Sequence, residues 1–93
     1  MMPFKCEAEL LRKDKVAADI WRITLRVPTL ARAAEPGQFV MVKAGKGLHP
    51  LWRRPFSIHQ VLDEERIQLL LKVVGSGSEF IVSCSPGGTL SLL

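Results

Sequence analysis

Two short segments of the chain carry residue types that could bind an anionic, partly aromatic ligand. The first, Arg54-Pro55-Phe56-Ser57-Ile58, combines a guanidinium, a rigid proline, an aromatic ring and a hydroxyl within a strand-like run. The second, Gly75-Ser76-Gly77-Ser78, follows an apolar run and precedes a predicted helix. A guanidinium offers a planar fork of donors to phosphate oxygens, and a helix start offers backbone N–H groups with partial positive charge. Together the segments suit a ligand with a phosphate end and a flat aromatic end, such as a dinucleotide or a flavin.

Length and composition predict one domain with a packed core. The chain has 93 residues, of which 47% are hydrophobic, so neither disorder nor a need for crosslinks is expected. The net charge of +4 fits an anionic ligand and an ordinary solvated surface equally well. The 13 basic residues are scattered rather than grouped in a block. We therefore expect no nucleic-acid partner.

The cysteines and histidines do not form a predicted metal site. Cys6 and Cys84 lie far apart without a CxxC motif, which excludes a four-thiolate cluster held by this chain alone, and both are expected to be small core residues. His49 and His59 are isolated from each other and from any carboxylate cluster, so neither is expected to be catalytic or metal-binding. No signal peptide and no membrane-spanning apolar run are visible, which favours a cytoplasmic protein without a membrane partner.

Apolar and polar residues alternate along most of the chain, as expected for half-buried strands. Pro36-Gly37 fits a type II turn with a positive φ at the glycine, and residues 63–65 and 86–88 fit further turns. Ser78 could N-cap a short helix that runs to about Cys84, and residues 29–35 could form one helical turn. Six strands and one late helix predict a small antiparallel barrel or sandwich. The predicted strands cover residues 4–10, 21–27, 39–42, 54–61, 66–74 and 89–93.

In this order and on this strand pattern, the two segments resemble the flavin-binding domain of the ferredoxin–NADP reductase superfamily. Arg54-Pro55-Phe56-Ser57, preceded by Pro36-Gly37-Gln38-Phe39, is similar to the family's arginine-proline-x-serine motif. Gly75-Ser76-Gly77-Ser78 is similar to its glycine-x-glycine-Ser/Thr turn before a helix. Within the superfamily, the similarity is closest to electron-transfer subunits of bacterial dihydroorotate dehydrogenases, and it covers residues 4–93. The resemblance implies an all-β, six-stranded antiparallel Greek-key barrel that carries one short helix and binds FAD.

The resemblance also implies what individual residues do. Arg54 would face the FAD pyrophosphate, and Ser57 with its backbone would lie near the isoalloxazine ring. Phe56 stands where many relatives place a tyrosine, Leu70-Leu71-Lys72 match the segment that lines the flavin on the next strand, and Gly77-Ser78 match the phosphate-binding helix start. No catalytic residue and no metal ligand are expected. The implied cofactor-binding residues are Arg54, Pro55, Phe56, Ser57, Leu70, Leu71, Lys72, Gly77 and Ser78.

The chain departs from the family pattern in ways that limit its expected activity. Phe56 lacks a phenol hydroxyl, so any hydrogen bond made by a tyrosine there is absent. The family's nicotinamide-binding domain and the C-terminal cysteines that hold a [2Fe–2S] cluster are missing from these 93 residues. We therefore expect residues 1–93 to be the flavin domain of a longer reductase subunit, inactive by itself. NAD(P)H and a [2Fe–2S] cluster would bind elsewhere in that subunit, and a catalytic dehydrogenase of pyrimidine biosynthesis would be its partner.

Plainer alternatives remain open for the same residues. Arg54 could be an ordinary strand arginine, Phe56 a core residue, and the glycines of the second segment only a loop and a helix cap. Arg53 is expected to face solvent, and Trp52 could pack on the barrel rim or cover a ligand. The alternative function is a non-enzymatic small β-barrel, either an interaction module or an oligonucleotide-binding one. The chain has two Trp, four Phe and no Tyr, which argues against an oligonucleotide platform.

Overall fold

The computed structural model describes residues 6–43, 53–73 and 75–92. The expectations for His49 and Trp52 lie outside these residues. Within the described residues, six strands and two helices follow one another. They are β1 (Cys6–Ala17), β2 (Ile20–Arg26), α1 (Pro28–Ala31), β3 (Phe39–Lys43), β4 (Arg53–Val61), β5 (Arg66–Lys72), α2 (Ser76–Ser83) and β6 (Thr89–Leu92).

The strands form a closed antiparallel barrel in the order β1-β2-β5-β4-β3-β6, so the predicted fold class is confirmed. Strands β3, β4 and β5 pair consecutively, and β6 returns to lie beside β3, which is the Greek-key arrangement. Pairing of β6 with β1, from Cys6 opposite Leu92 to Glu9 opposite Thr89, closes the barrel. Closure leaves no unpaired sheet edge along most of these strands.

The barrel core is built from alternate residues of every strand, as the period of two requires. Helix α2 adds Ile81 and helix α1 adds Ala31 to the same core. Thr24 is also buried, but it lies between Ile23 and Leu25 and therefore on the other face of β2, where its hydroxyl accepts a hydrogen bond from the Gln68 amide at 3.2 Å. The buried apolar strand residues are Ala8, Leu10, Ile23, Leu25, Val40, Val42, Ile58, Ile67, Leu69, Leu71, Leu90 and Leu92.

Strand β1 is longer than the sequence predicted, because it continues to Ala17 rather than ending at residue 10. Its pairing with β2 shifts register between Leu10 and Arg12 and again between Lys15 and Ala17. Each bulge moves the following side chains to the other face, so the alternation that identifies a strand is lost. Strand β5 ends at Lys72, two residues before the predicted end.

The turn at Pro36-Gly37 is confirmed and is tied to strand β4. Gly37 has φ of +92°, the left-handed conformation that glycine adopts without strain. Its N–H donates to the Ile58 carbonyl at 2.9 Å, and the Ile58 N–H donates to the Gln38 carbonyl at 2.7 Å. These two bonds fix the start of β3 against the middle of β4.

Pro28 stands at the first position of helix α1, where a missing N–H costs nothing. The short helical turn predicted within residues 29–35 is therefore present, displaced slightly toward the N-terminus. Across the described residues, no helix is long and apolar enough to cross a membrane.

Candidate functional site

The first candidate segment lies on strand β4, between β3 and β5. Its backbone register places Ser57 opposite Phe39, Phe56 opposite Val40, and Arg54 opposite Val42. Ser57 and Pro55 are exposed, whereas Ile58 is buried. The hydroxyl of Ser57 is therefore presented on the outer face of the barrel.

Phe56 alternates with the exposed residues and packs partly against the hydrophobic core. The alternative given by the sequence analysis, that Phe56 is a core residue, therefore holds for part of the ring. The ring remains only half-buried.

The neighbouring strand β5 continues this outer face. Ile58 of β4 pairs with Leu69 of β5, and both are buried. The next residue toward the site on each strand, Ser57 and Leu70, is exposed, so the two lie beside each other on the outside. Leu70 leaves 41% of its surface open to solvent.

The two residues that follow Leu70 have different surroundings. Lys72 is exposed and adds a cation near the end of β5. Leu71 is fully buried in the core. A ligand on the outer face could contact only the backbone of Leu71. The flavin-lining role that the resemblance implies for Leu71 is therefore limited to its backbone.

Helix α2 begins just beyond the end of β5, and it begins earlier than predicted. Gly75 is its N-cap in an extended conformation, with φ of −174°, and Ser76 is its first residue. The expectation that Ser78 N-caps the helix is wrong, because Ser78 lies in the third helical position. Gly77 is correspondingly in the first helical turn.

The Ser78 hydroxyl explains the early start. The Gly75 N–H donates to Ser78 Oγ at 3.4 Å, and Ser78 Oγ donates to the Gly75 carbonyl at 3.2 Å. Ser78 is buried, so its side chain serves the turn. The first helical backbone bond runs from the Glu79 N–H to the Gly75 carbonyl at 3.0 Å. Helix geometry leaves the N–H groups of Ser76 and Gly77 without a carbonyl four residues back in the helix.

The other end of α2 is held by Lys13, a residue that the sequence analysis missed. Lys13 Nζ donates to the Val82 carbonyl at 2.6 Å and lies 5.9 Å from the centroid of the Trp21 ring. A cation at a helix C-terminus also complements the helix dipole. The contact joins residues far apart in sequence, and no local pattern marks it.

Cys84, which follows α2, is half-buried and packs against the core as expected. Burial raises the pKa of its thiol, and the charge of Lys13 only partly opposes this effect. Since the thiolate is the reactive form, these surroundings disfavour reaction of Cys84. Within the described ranges, no group of His, Cys, Asp and Glu residues could hold a metal ion.

Comparison with known proteins identifies relatives of this barrel. No family model matches the chain. A dihydroorotate dehydrogenase B (NAD(+)) electron transfer subunit from Desulforamulus reducens is 38% identical over 88 residues, which is 94% of this chain and 34% of the relative. An electron transfer subunit homolog from Aquifex aeolicus is 30% identical over 89% of this chain and 33% of the relative. The chain thus spans about a third of the length of the curated relatives it matches.

Solved structures share the fold. An NADH-dependent reduced ferredoxin-NADP oxidoreductase, described for flavin-based electron bifurcation, superposes with a TM-score of 0.77 at 26% identity, covering 92% of this chain and 31% of that one. The ferredoxin reductase of carbazole 1,9a-dioxygenase gives a TM-score of 0.77 at 25% identity over 96% of this chain and 27% of that one. The resemblance predicted from the sequence is confirmed: this is a ferredoxin reductase-like barrel, homologous to part of the dihydroorotate dehydrogenase electron-transfer subunits.

Proposed function

We propose that this chain binds FAD on the outer face of β4 and β5 and at the first turn of α2. In this role it serves as the flavin-binding electron-transfer module of an NAD(P)H-linked oxidoreductase. FAD held there would supply the hydride-accepting and electron-transfer chemistry, and the protein would contribute orientation and electrostatics. The relatives named as dihydroorotate dehydrogenase electron transfer subunits support this proposal.

One observation carries the assignment of the site. Exposed Ser57 and Leu70 on adjacent strands lead along β5 to exposed Lys72 and then to the start of α2. An apolar platform with one hydroxyl is thereby followed by positive charge and backbone donors. This order matches a ligand whose flat ring is joined to a pyrophosphate.

Each part of the site has a separate task in this proposal. The platform of β4 and β5 supports the isoalloxazine ring, and Ser57 supplies a hydrogen bond near its polar edge. Arg54 shares the register face of Phe56 rather than that of Ser57, and in this proposal its long side chain extends past the sheet to bind pyrophosphate oxygens through a charge-assisted contact. The N–H groups of Ser76 and Gly77 bind phosphate at the positive end of the α2 dipole.

The same reasoning extends to the larger protein of which residues 1–93 would be the flavin domain. We propose that NAD(P)H and a [2Fe–2S] cluster bind outside these residues, and that electrons pass to a catalytic dehydrogenase subunit of pyrimidine biosynthesis. The names of the relatives support the nicotinamide and the dehydrogenase partner, since they specify an NAD(+)-linked dihydroorotate dehydrogenase.

Replacement of Arg54 tests the site directly. We expect Arg54→Ala to weaken FAD binding by about 2 kcal/mol, roughly thirtyfold, because one charge-assisted contact to the pyrophosphate is lost. The matched control is Arg53→Ala, which removes the same charge from the adjacent residue and should change affinity much less. Titration of flavin fluorescence measures both affinities. Equal losses in the two variants, or none in Arg54→Ala, would contradict the assignment of Arg54.

A further inference from the structure

Phe39 is the most exposed of the large hydrophobic side chains that the structure describes. It leaves 71% of its surface open to solvent, compared with 46% for Val16, 41% for Leu70 and 38% for Leu62. An aromatic ring held in water at the start of a strand gains nothing from the hydrophobic effect. The residues next to Phe39 on the sheet therefore indicate what the exposed ring could contact.

The neighbour of Phe39 across the sheet is Ser57. The two residues are directly paired between β3 and β4, which places their Cβ atoms about 4.5–5.5 Å apart on one face. Val40, the next residue, is buried, so Phe39 stands on the outer face as Ser57 does. The bonds from Gly37 N–H to the Ile58 carbonyl and from Ile58 N–H to the Gln38 carbonyl hold this pair in register.

The β4–β5 register, continued by one residue beyond the paired Ile58 and Leu69, places Leu70 on the opposite side of Ser57. Phe39, Ser57 and Leu70 thus form a row across β3, β4 and β5, with a hydroxyl between two apolar side chains. Two strand spacings give this row a width of about 9–10 Å. A row of this width suits a flat, fused ring system that has an apolar end and a polar centre.

We propose that Phe39 is a further cofactor-contacting residue, whose ring packs against the apolar end of the flavin ring system and excludes water from it. This inference rests on the proposed FAD site and extends that site by one strand, from β4 to β3. The phenyl ring has no ionisable group and no donor. Ser57 is then the polar side chain of the row that can exchange a hydrogen bond with the flavin, and Phe39 keeps that bond in a low-dielectric environment.

Two Phe39 variants and one control test the proposal. Phe39→Ala should weaken FAD binding about tenfold, as expected for removal of an aromatic contact together with its buried area, and Phe39→Leu should weaken it less. Val16→Ala is the matched control, because it shortens an exposed apolar strand residue on β1 and should leave affinity within about twofold. Flavin fluorescence titration gives the affinities, and the resolution of the visible absorption bands of the bound flavin reports its exposure to water. Circular dichroism checks the fold, which should persist because Phe39 is exposed.

The outcomes separate this inference from the function on which it depends. If the unaltered chain fails to bind FAD, both are overturned. If the unaltered chain binds FAD and Arg54→Ala weakens binding, but Phe39→Ala behaves like Val16→Ala, only the role of Phe39 is overturned. Weaker binding with less resolved absorption bands in both Phe39 variants, and not in Val16→Ala, supports the contact.

Discussion

At the scale of single residues, the Ser78 hydroxyl shows how a motif side chain can act through the backbone. It is bonded to both the N–H and the carbonyl of Gly75 and is shielded from solvent. A phosphate at this helix start would meet the N–H groups of Ser76 and Gly77 in the turn that Ser78 holds. The serine of the glycine-x-glycine-Ser/Thr turn is therefore a positioning residue in our proposal, and the preceding glycine is the point of closest approach.

Asp63 organises the turn between β4 and β5 and gives the protein a defined sensitivity to acid. Its Oδ1 accepts hydrogen bonds from the Glu65 N–H at 2.8 Å and the Arg66 N–H at 2.9 Å, and its Oδ2 accepts one from Arg66 Nε at 2.8 Å. The Arg66 side chain, followed by the Glu65 N–H, holds the pKa of Asp63 below its ordinary value of 3.8. A carboxyl with a lowered folded-state pKa stabilises the fold above its unfolded-state pKa, and this contribution is lost as the pH falls through the folded-state value.

We therefore expect Asp63→Asn to lower the unfolding temperature slightly at neutral pH. Because the contact is exposed and screened by solvent, the effect should be small. The difference from the unaltered chain should shrink as the pH falls below 3.8, where the native carboxyl also becomes protonated. Thermal unfolding followed by circular dichroism across pH 2–7 measures this, with Glu64→Gln as the charge-matched control. A difference that stays constant over this range would show that the charge of Asp63 is not responsible.

Residue exposure on the strands was largely predictable, and the residue contacts were not. Alternation in the fifth predicted strand places Ile67, Leu69, Leu71 and Val73 on one face; the first three are buried, and Val73, beyond the end of β5, is partly exposed. The same alternation buries the Leu71 side chain, although the resemblance implied that Leu71 lines the flavin. In the structure only the backbone of Leu71 is accessible to a ligand on the outer face. The bond from Lys13 to Val82 depends on tertiary placement of α2, so no local pattern could have identified it.

At the scale of elements, helix α2 is fastened at both ends and through its middle. Ser78 and Gly75 fix its first turn, Ile81 enters the core, and Lys13 holds the Val82 carbonyl at its end. The orientation of the N–H groups in its first turn is thus set by contacts that a ligand does not need to supply. Preorganised donors of this kind reduce the ordering cost of binding an anion.

Replacement of Gly77 tests whether the start of α2 contacts a phosphate. Gly77 lies in the helical turn, whereas the described glycines with positive φ are Gly37 and Gly87, so left-handed strain is not part of the argument. The helix propensity of valine is more favourable than that of glycine, by less than about 1 kcal/mol, so Gly77→Val should keep the fold. We expect it to weaken FAD binding about tenfold or more, because the added side chain blocks approach of the phosphate to the backbone.

The control for Gly77→Val is Ser83→Val, which adds a similar side chain at the exposed opposite end of α2. Flavin titration with circular dichroism compares the two. Normal FAD affinity in Gly77→Val would mean that the glycines of this turn serve only the geometry of the helix start.

Element boundaries show where sequence patterns fail for physical reasons. Strands β2 and β4 were predicted to within one residue, although the pairing of β4 with β5 shifts register between Ile58 and Gln60. Strand β1 was predicted too short because its bulges break the period. Helix α2 was predicted to begin too late because a serine is the more common N-cap, whereas here an extended glycine takes that position and the serine bonds back to it.

At the scale of the whole molecule, the barrel depends on pairings between strands that are distant in sequence. Strand β2 pairs with β5 over seven residue pairs, and β1 pairs with β6 to close the sheet. Local periodicity can count strands but cannot order them, so the residues alone left barrel and sandwich open. The resemblance to a known family, based on the two motifs, predicted the Greek-key barrel. In the structure these motifs lie on β4 and at the start of α2.

The last prediction concerns hydride transfer from a nicotinamide. The site proposed within this chain holds only the flavin, and the chain spans 34% of the Desulforamulus reducens relative named for NAD(+). Correct positioning of two reactants can contribute roughly 7–11 kcal/mol to a rate, so a donor that diffuses freely to the flavin reacts slowly. We expect the 93-residue chain loaded with FAD to be bleached by NADH slowly and without saturation. The full-length relative, under the same stopped-flow conditions, should be bleached rapidly and with saturation. Rapid, saturable bleaching of the 93-residue chain would place a nicotinamide site within residues 1–93. It would refute the proposal that NAD(P)H binds outside these residues.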